Sequence, residues 1–273
     1  MRLGRIAYIN CFPVYRAIDR GAVTVPAELV TGTPAELNEL LVAGELDVSV
    51  ISAVEYARHA DLLRLLPEIG ITSDGPVKSV ALFSRRPVGQ LDGRTVLLSD
   101  SSRTAVALLE LLCRDVWAIR PHFAQARAEA TDLDALACLP HDAVLVIGDA
   151  ALVLKARQAY PHRYDLGEEW RRWTGLPFVF AVWAARREAD PAAVRLLHAA
   201  LLASRTWGLA HLPALAADAH AATGVPLADC LAYFEGLDYA PTERHQAGLV
   251  TFFRKLAAHG LAPAASLRYL QVA

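Results

Sequence analysis

Apolar residues fall into two rhythms along this chain. Short unbroken apolar runs, each closed by Asn, Gly, Pro or Ser, alternate with stretches in which apolar residues return every three or four positions. The runs predict strands over residues 5–9, 27–31 and 46–51. The stretches between them predict helices over 14–20, 35–43 and 53–60. Thr33 is placed to cap the second of these helices and Pro34 to fill its first position, while Leu37, Leu40 and Leu41 share one face and Gly44 stops it. Further on, strands are expected over 77–84, 95–98, 143–147 and 178–184, with helices over 101–113 and 150–157. From about Asp190 the pattern is largely helical. Strand and helix in alternation favour a mainly parallel sheet with helices packed on it. The turn-rich stretch from Pro87 to Gly93 predicts a passage into a second α/β unit, and the apolar strand at Phe178 carries the chain back. The expected division is therefore one lobe of residues 1–88 plus 184–273 and a second of 89–183. This is the plan of a two-lobed α/β binding fold with its ligand in the cleft between lobes.

Composition narrows the functional classes. Of the 273 residues, 54% are hydrophobic and 21% charged, which supports a sizeable core and excludes a disordered chain. The formal net charge of −2 calls for neither nucleic acid nor an anionic membrane as partner. Cys11, Cys113, Cys138 and Cys230 form no CxxC and no Cys/His spacing, so no metal is expected and the thiols read as those of a reducing compartment. The opening residues carry charge without a following apolar stretch. No apolar run approaches the ~20 residues of a membrane span; the Ala/Leu-rich segment from Ala192 to Ala217 is broken by Arg195, His198 and Arg205. A cytoplasmic protein is expected. GxSxG, Walker A, GxGxxG and HExxH motifs are absent.

Five loops could carry chemistry, since open α/β sheets bind ligands beyond their strand ends. In Asn10-Cys11-Phe12-Pro13, Asn10 is either a turn residue before a helix or an amide that both donates and accepts. Ser52 could donate to a carboxylate from a helix N-terminus, or simply cap that helix. In Ser73–Ser79 the Gly75-Pro76 pair forces a turn. Lys78 and Ser79 then alternate faces, and Lys78 reads as a surface charge. Ser99–Thr104 gathers hydroxyls and backbone N–H groups where a helix begins, with Arg103 able to add a fork to a carboxylate or to sit in solvent. Trp170–Phe178 holds two tryptophans, for an aromatic wall or for core packing. Asp149, after the strand at 143–147, can orient backbone or cap the helix behind it. None of the nine histidines lies in these loops.

Taken together, the loops resemble a known family. Tyr8-Ile9-Asn10-Cys11-Phe12-Pro13, Gly32–Asn38, Gly44–Ser49, Asp74–Ser79, Ser101–Thr104, Leu145–Leu152 and above all Trp173-Thr174-Gly175-Leu176-Pro177-Phe178 resemble, in order, blocks of chorismate dehydratase. The resemblance covers roughly the first two-thirds of the chain. It implies a fold similar to type II periplasmic binding proteins and conversion of chorismate to enolpyruvyl-oxybenzoate and water, without metal or organic cofactor. It implies catalytic roles for Asn10 and Ser79. Substrate contacts are expected from Ser102, Arg103 and Thr104 as carboxylate binders, and from Ser52, Gly148, Asp149 and Thr174. Phe12 departs from the aliphatic residue expected there and would reshape one wall. Two alternatives share the fold: a solute-binding protein for a small carboxylate, and the sister dihydroxynaphthoate synthase, whose opening Ser-Pro-Cys-Pro-Asn-Asp motif is absent here.

Overall fold

The structure, a computed structural model, describes residues 1–99 and 102–271. The chain opens with β1 (Arg2–Ile6), a 3-10 turn over Ile9–Cys11 and α1 (Phe12–Asp19). It continues through β2 (Glu28–Gly32), α2 (Pro34–Ala43), β3 (Val48–Ser52), α3 (Ala53–Arg58) and the long β4 (Leu63–Ser73). Then come β5 (Val80–Ser84), β6 (Thr95–Ser99), α4 (Arg103–Asp115), β7 (His122–Ala126), α5 (Leu133–Cys138), β8 (Ala143–Ile147), α6 (Gly148–Arg157), β9 (His162–Asp165) and α7 (Leu166–Thr174). The chain returns through β10 (Phe178–Arg186) and ends in α8 (Pro191–Leu209), α9 (Leu212–Thr223), α10 (Leu227–Glu235) and α11 (Glu243–Ala258).

Two five-stranded sheets result, ordered β2-β1-β3-β10-β4 and β7-β6-β8-β5-β9. They follow one plan. Three strands run parallel, and the fourth, which the chain delivers from the other lobe, runs antiparallel to its neighbours: β10 beside β3 and β4, β5 beside β8 and β9. Each lobe is thus closed by a strand that has just crossed over. The crossings fall at 74–79 and 175–177, not at 88/89 and 183/184. The sequence reading assigned β5 to the first lobe and most of β10 to the second. Every residue of β5 is buried, and such an apolar run carries no mark of which sheet it will join.

Local signals match the elements they start and stop. Thr33 and Glu36 form a reciprocal capping box at α2, and Gly44 ends that helix in the left-handed region at φ 84°. One apolar cluster runs from the first lobe (Leu3, Val50, Phe252) into the second (Val96, Leu98, Leu108, Leu145), so the lobes share a core. Trp170 is fully buried there, edge-on to Phe178 and Phe252, and its indole N–H donates to the Pro177 carbonyl. Trp170 and Phe178 of that segment are therefore core packing, while Trp173 is partly buried beneath the Lys255 ammonium.

Candidate functional site

The C-terminal ends of β1 and β3 face the start of α6 and α4 across the seam between lobes. Gly148 opens α6 at φ +62°, and a Cβ there would stand 2.9 Å from the Tyr8 ring. Only glycine allows both that backbone and that approach. Two adjacent residues of α6 then touch two of the loops: the Gly148 N–H donates to the Ser79 carbonyl at 2.7 Å, and Asp149 Oδ1 accepts from the Ile9 N–H at 3.1 Å. Tyr8 reaches further and donates its hydroxyl to Glu129 at 2.6 Å.

Asn10 rides on the 3-10 turn that these contacts hold. Its side-chain oxygen is buried and has no hydrogen-bond partner among the described residues. A buried acceptor left unpaired is costly unless a ligand supplies the donor. Ser79 is nearly buried and accepts a 2.8 Å hydrogen bond from the Tyr233 hydroxyl; Tyr239 donates to the Asn10 carbonyl at 2.9 Å. Burial pushes the Tyr233 and Tyr239 phenols up, so both stay protonated donors. Burial likewise pushes the Cys11 thiol up, with the Asp149 charge adding to it, which leaves that thiol unreactive. The Asp149 carboxyl is pushed up to about 7, first by burial and then by the neighbouring Glu129, against the opposing Ile9 N–H.

The turn that presents Ser79 is built on Asp165. Its carboxylate accepts from the N–H groups of Val77, Lys78, Gly167 and Glu168, tying the first crossing to the start of α7. Burial raises the Asp165 carboxyl, while those backbone donors oppose the rise. Lys78 is not the free surface charge expected: it sits at φ +66° and donates its ammonium to the Ala232 carbonyl of α10.

The remaining candidates are placed as follows. Ser52 stands at the N-cap of α3 without a capping bond; its hydroxyl accepts from Asn38 instead. Ser102 caps α4 through the Ala105 N–H. Thr104 accepts from the Val54 N–H across the seam at 3.1 Å. Arg103 forks onto Glu55 and Glu39 of the first lobe, both at 2.7 Å, so its guanidinium joins the lobes rather than standing open. Asp100 and Ser101 of that loop lie outside the described residues. Thr174 bonds only the end of its own helix, through the Trp170 carbonyl and the Leu176 N–H. Of the candidates, Arg103, Thr104 and Asp149 bond across the seam, Asn10, Ser52, Ser79, Ser102 and Gly148 lie in the loops beside those contacts, and Thr174 ends α7 at the second crossing. Sequence reasoning missed Tyr8, Glu129, Asp165, Tyr233 and Tyr239. The last two lie in the helical C-terminal third, where a buried Tyr has the same spacing as any core residue. Among the described residues no group of His, Cys, Asp or Glu could hold a metal ion, and no helix is long and apolar enough to cross a membrane.

A family model described as menaquinone biosynthesis matches residues 1–258. A chorismate dehydratase of Thermus thermophilus is 36% identical over 225 residues, 77% of this chain and 78% of that protein. A chorismate dehydratase of Campylobacter jejuni is 28% identical, covering 66% of each chain. A 1,4-dihydroxy-6-naphtoate synthase of Thermus thermophilus is 27% identical, covering 77% of this chain and 75% of its own. Among solved structures, a protein of Archaeoglobus fulgidus superposes with a TM-score of 0.78 at 19% identity, over 95% of this chain and 97% of that one. The alkanesulfonate-binding protein of Xanthomonas axonopodis pv. citri does so at 0.69 and 14%, over 99% and 96%. The chain has the periplasmic-binding-protein-like fold. With a match that runs through both lobes and on to the end of α11, the chain belongs to the menaquinone-biosynthesis family.

Proposed function

We propose that this protein is a chorismate dehydratase, converting chorismate to 3-[(1-carboxyvinyl)oxy]benzoate and water. The relative at 36% identity supports the choice of reaction. The observation that carries the site is the buried oxygen of Asn10, unpartnered among the described residues, on the turn whose Ile9 N–H bonds Asp149.

Chorismate brings two carboxylates, a ring hydroxyl and a ring C–H beside the ether oxygen. Loss of that proton sends its electron pair into the ring diene and onto the ring carboxylate as an extended enolate. The pair returns to complete the aromatic ring as the C–O bond to the hydroxyl breaks, and the leaving oxygen takes the abstracted ring proton and departs as water. The protein's work is to orient the substrate, hydrogen-bond the enolate and exclude bulk water. The substrate's own enolpyruvyl carboxylate takes the ring proton. Asn10 Oδ1 accepts from the leaving hydroxyl, and its amide N–H holds the enolpyruvyl carboxylate. Ser79 and the first turn of α4 donate to the ring carboxylate, where a helix N-terminus favours negative charge. Asp149 in its protonated form adds a donor. Arg103 and Thr104 serve by holding the two lobes together around these groups, Ser52 and Ser102 by fixing the starts of α3 and α4 on either side, and Thr174 has no part in this reading.

Incubation with chorismate, followed by ultraviolet absorbance and mass, is the test. A product at the mass of chorismate minus water is expected, with turnover lowered by about 10²–10³ in Asn10→Ala. Chorismate bound but unchanged favours a carboxylate-binding carrier on the same fold. Full activity in Asn10→Ala refutes the role given to that amide.

A further inference from the structure

Both proposed catalytic residues are held from one short stretch of the C-terminal third. Tyr233, on α10, donates to Ser79 Oγ at 2.8 Å, and Tyr239, six residues on, donates to the Asn10 carbonyl at 2.9 Å. The stretch is itself anchored at both ends. Lys78 reaches the Ala232 carbonyl, next to Tyr233. At the other end Asp238 pairs with Thr72 in an antiparallel bridge, its N–H donating at 2.8 Å and its carbonyl accepting at 3.1 Å, while Gly70 N–H reaches the Tyr239 carbonyl. The phenols are therefore fixed with respect to β4 and to the first crossing, the segment that carries Ser79.

A serine hydroxyl rotates freely and can aim its proton at any acceptor. A phenol is the more acidic partner, so Tyr233 is the donor and fills one lone pair of Ser79 Oγ. The Ser79 proton is then left to point away from Tyr233. At Asn10 the logic is translational: a bond to the backbone carbonyl pins the turn, and with it the direction of the side-chain amide.

We propose that Tyr233 and Tyr239 are positioning residues of the reaction, Tyr233 aiming the Ser79 hydroxyl and Tyr239 fixing the turn that carries Asn10. This rests on the dehydratase reading above. Neither phenol needs to touch substrate. Each acts through one partner, and that makes the claim separable from a general packing role.

The experiment is a pair of double-mutant cycles, Tyr233→Phe with Ser79→Ala and Tyr239→Phe with Asn10→Ala, read as kcat and KM for chorismate and as chorismate affinity by calorimetry. Each Tyr→Phe change should lower kcat by about tenfold with KM within about threefold. On the background of its own partner's alanine variant, Tyr233→Phe should change kcat by less than about twofold. For Tyr239→Phe the same collapse is expected on Asn10→Ala but not on Ser79→Ala. Equal losses on every background, or a loss that tracks the thermal midpoint alone, would make the phenols packing residues and overturn the proposal. Wild-type protein that binds chorismate without converting it refutes the dehydratase reading alone. The same cycles then run on the affinities, where independence of the pairs overturns the positioning role. Wild-type protein that does not bind chorismate overturns both.

Discussion

Asp149 carries the sharpest prediction. Its carboxyl titrates at about 7 in the folded protein against 3.8 for an ordinary aspartate, with burial as the main cause. Between those values the unfolded chain has lost this proton and the native protein keeps it. Stability then falls as pH rises, by about 1.4 kcal/mol per pH unit. Measured from the neutral acid, the cost is small at pH 4, grows progressively up to pH 7, and reaches about 4 kcal/mol for the ionised carboxylate at pH 8. Cys11 and Tyr233 near it are kept neutral by their own burial, and Glu129 is the charged neighbour that opposes ionisation. Asp149→Asn keeps an oxygen for the Ile9 N–H and removes the ionisation. The variant should match wild type near pH 4 and gain steadily above it, reaching a urea midpoint about 1 M higher at pH 8. Urea titrations of both proteins at four pH values measure the difference, in which every other titrating group cancels. Parallel pH curves, or an asparagine variant that is the less stable at pH 8, would refute the account of Asp149 as a buried acid. The same proton bears on activity: a dianionic substrate favours protonated Asp149, so KM for chorismate should climb above pH 7 in wild type and stay flat in the variant.

Gly148→Ala places a methyl group against the Tyr8 ring on a backbone at φ +62°; it should cost about 2 kcal/mol of stability and lower kcat/KM by about tenfold, read by thermal melts and steady-state kinetics. Arg103→Ala leaves Glu55, which is 2% exposed, with only His59 at 3.0 Å and the distant Arg58, whereas Glu39→Ala removes the exposed arm of the same fork. Urea unfolding should show a loss of about 3 kcal/mol for the arginine variant and under about 0.5 for the glutamate variant. Asp165→Ala strands the N–H groups of Val77, Lys78, Gly167 and Glu168 and should unfold the first crossing before the rest, seen as loss of amide protection at Val77 and Lys78 in hydrogen exchange.

What was legible in the sequence follows from how local each signal is. Thr33, Pro34, Glu36 and Gly44 act within one helix, and α2 begins and ends where they stand. Ala143–Ile147 is a buried strand of the expected length, because an apolar run bounded by a polar turn needs no distant information. β4 went unread: its eleven residues include Pro67, Glu68 and Gly70, which break any strand pattern, and it is held as a strand by β10 on one side with register shifts. The lobe boundaries were misplaced for a related reason. Whether Val80–Ser84 pairs with β8 or with β4 is settled by strands more than sixty residues away. At the site, Asn10, Ser79 and Asp149 lie in strand-end loops that the sequence marks by turn chemistry, while the roles given to Asn10 and Ser79, and Gly148 as a candidate, are what the family resemblance implies. Their supports are not so marked, since the meaning of Tyr233 lies in what it meets across 154 residues of chain.

The two faces of the seam between lobes differ in kind, and the difference bears on whether this fold serves as carrier or catalyst. Behind the site the lobes share one apolar cluster through α4, α7, β10 and α11. In front they meet through directed polar contacts: Tyr8 to Glu129, Ile9 to Asp149, Val54 to Thr104, and Arg103 to its two glutamates. Each neutral contact of this sort is worth about 1 kcal/mol net, so the front can open without disturbing the core. A shared core at the back limits that opening to a hinge and returns the same atoms to the same places on closing. Carriers need closure only to retain a ligand. Dehydration needs the groups that hold the ring and its carboxylates to arrive within fractions of an ångström of one arrangement. The anchored tyrosines, the fourfold-bonded Asp165 and the glycine under Tyr8 all constrain position rather than add affinity, and that is the arrangement a catalyst requires.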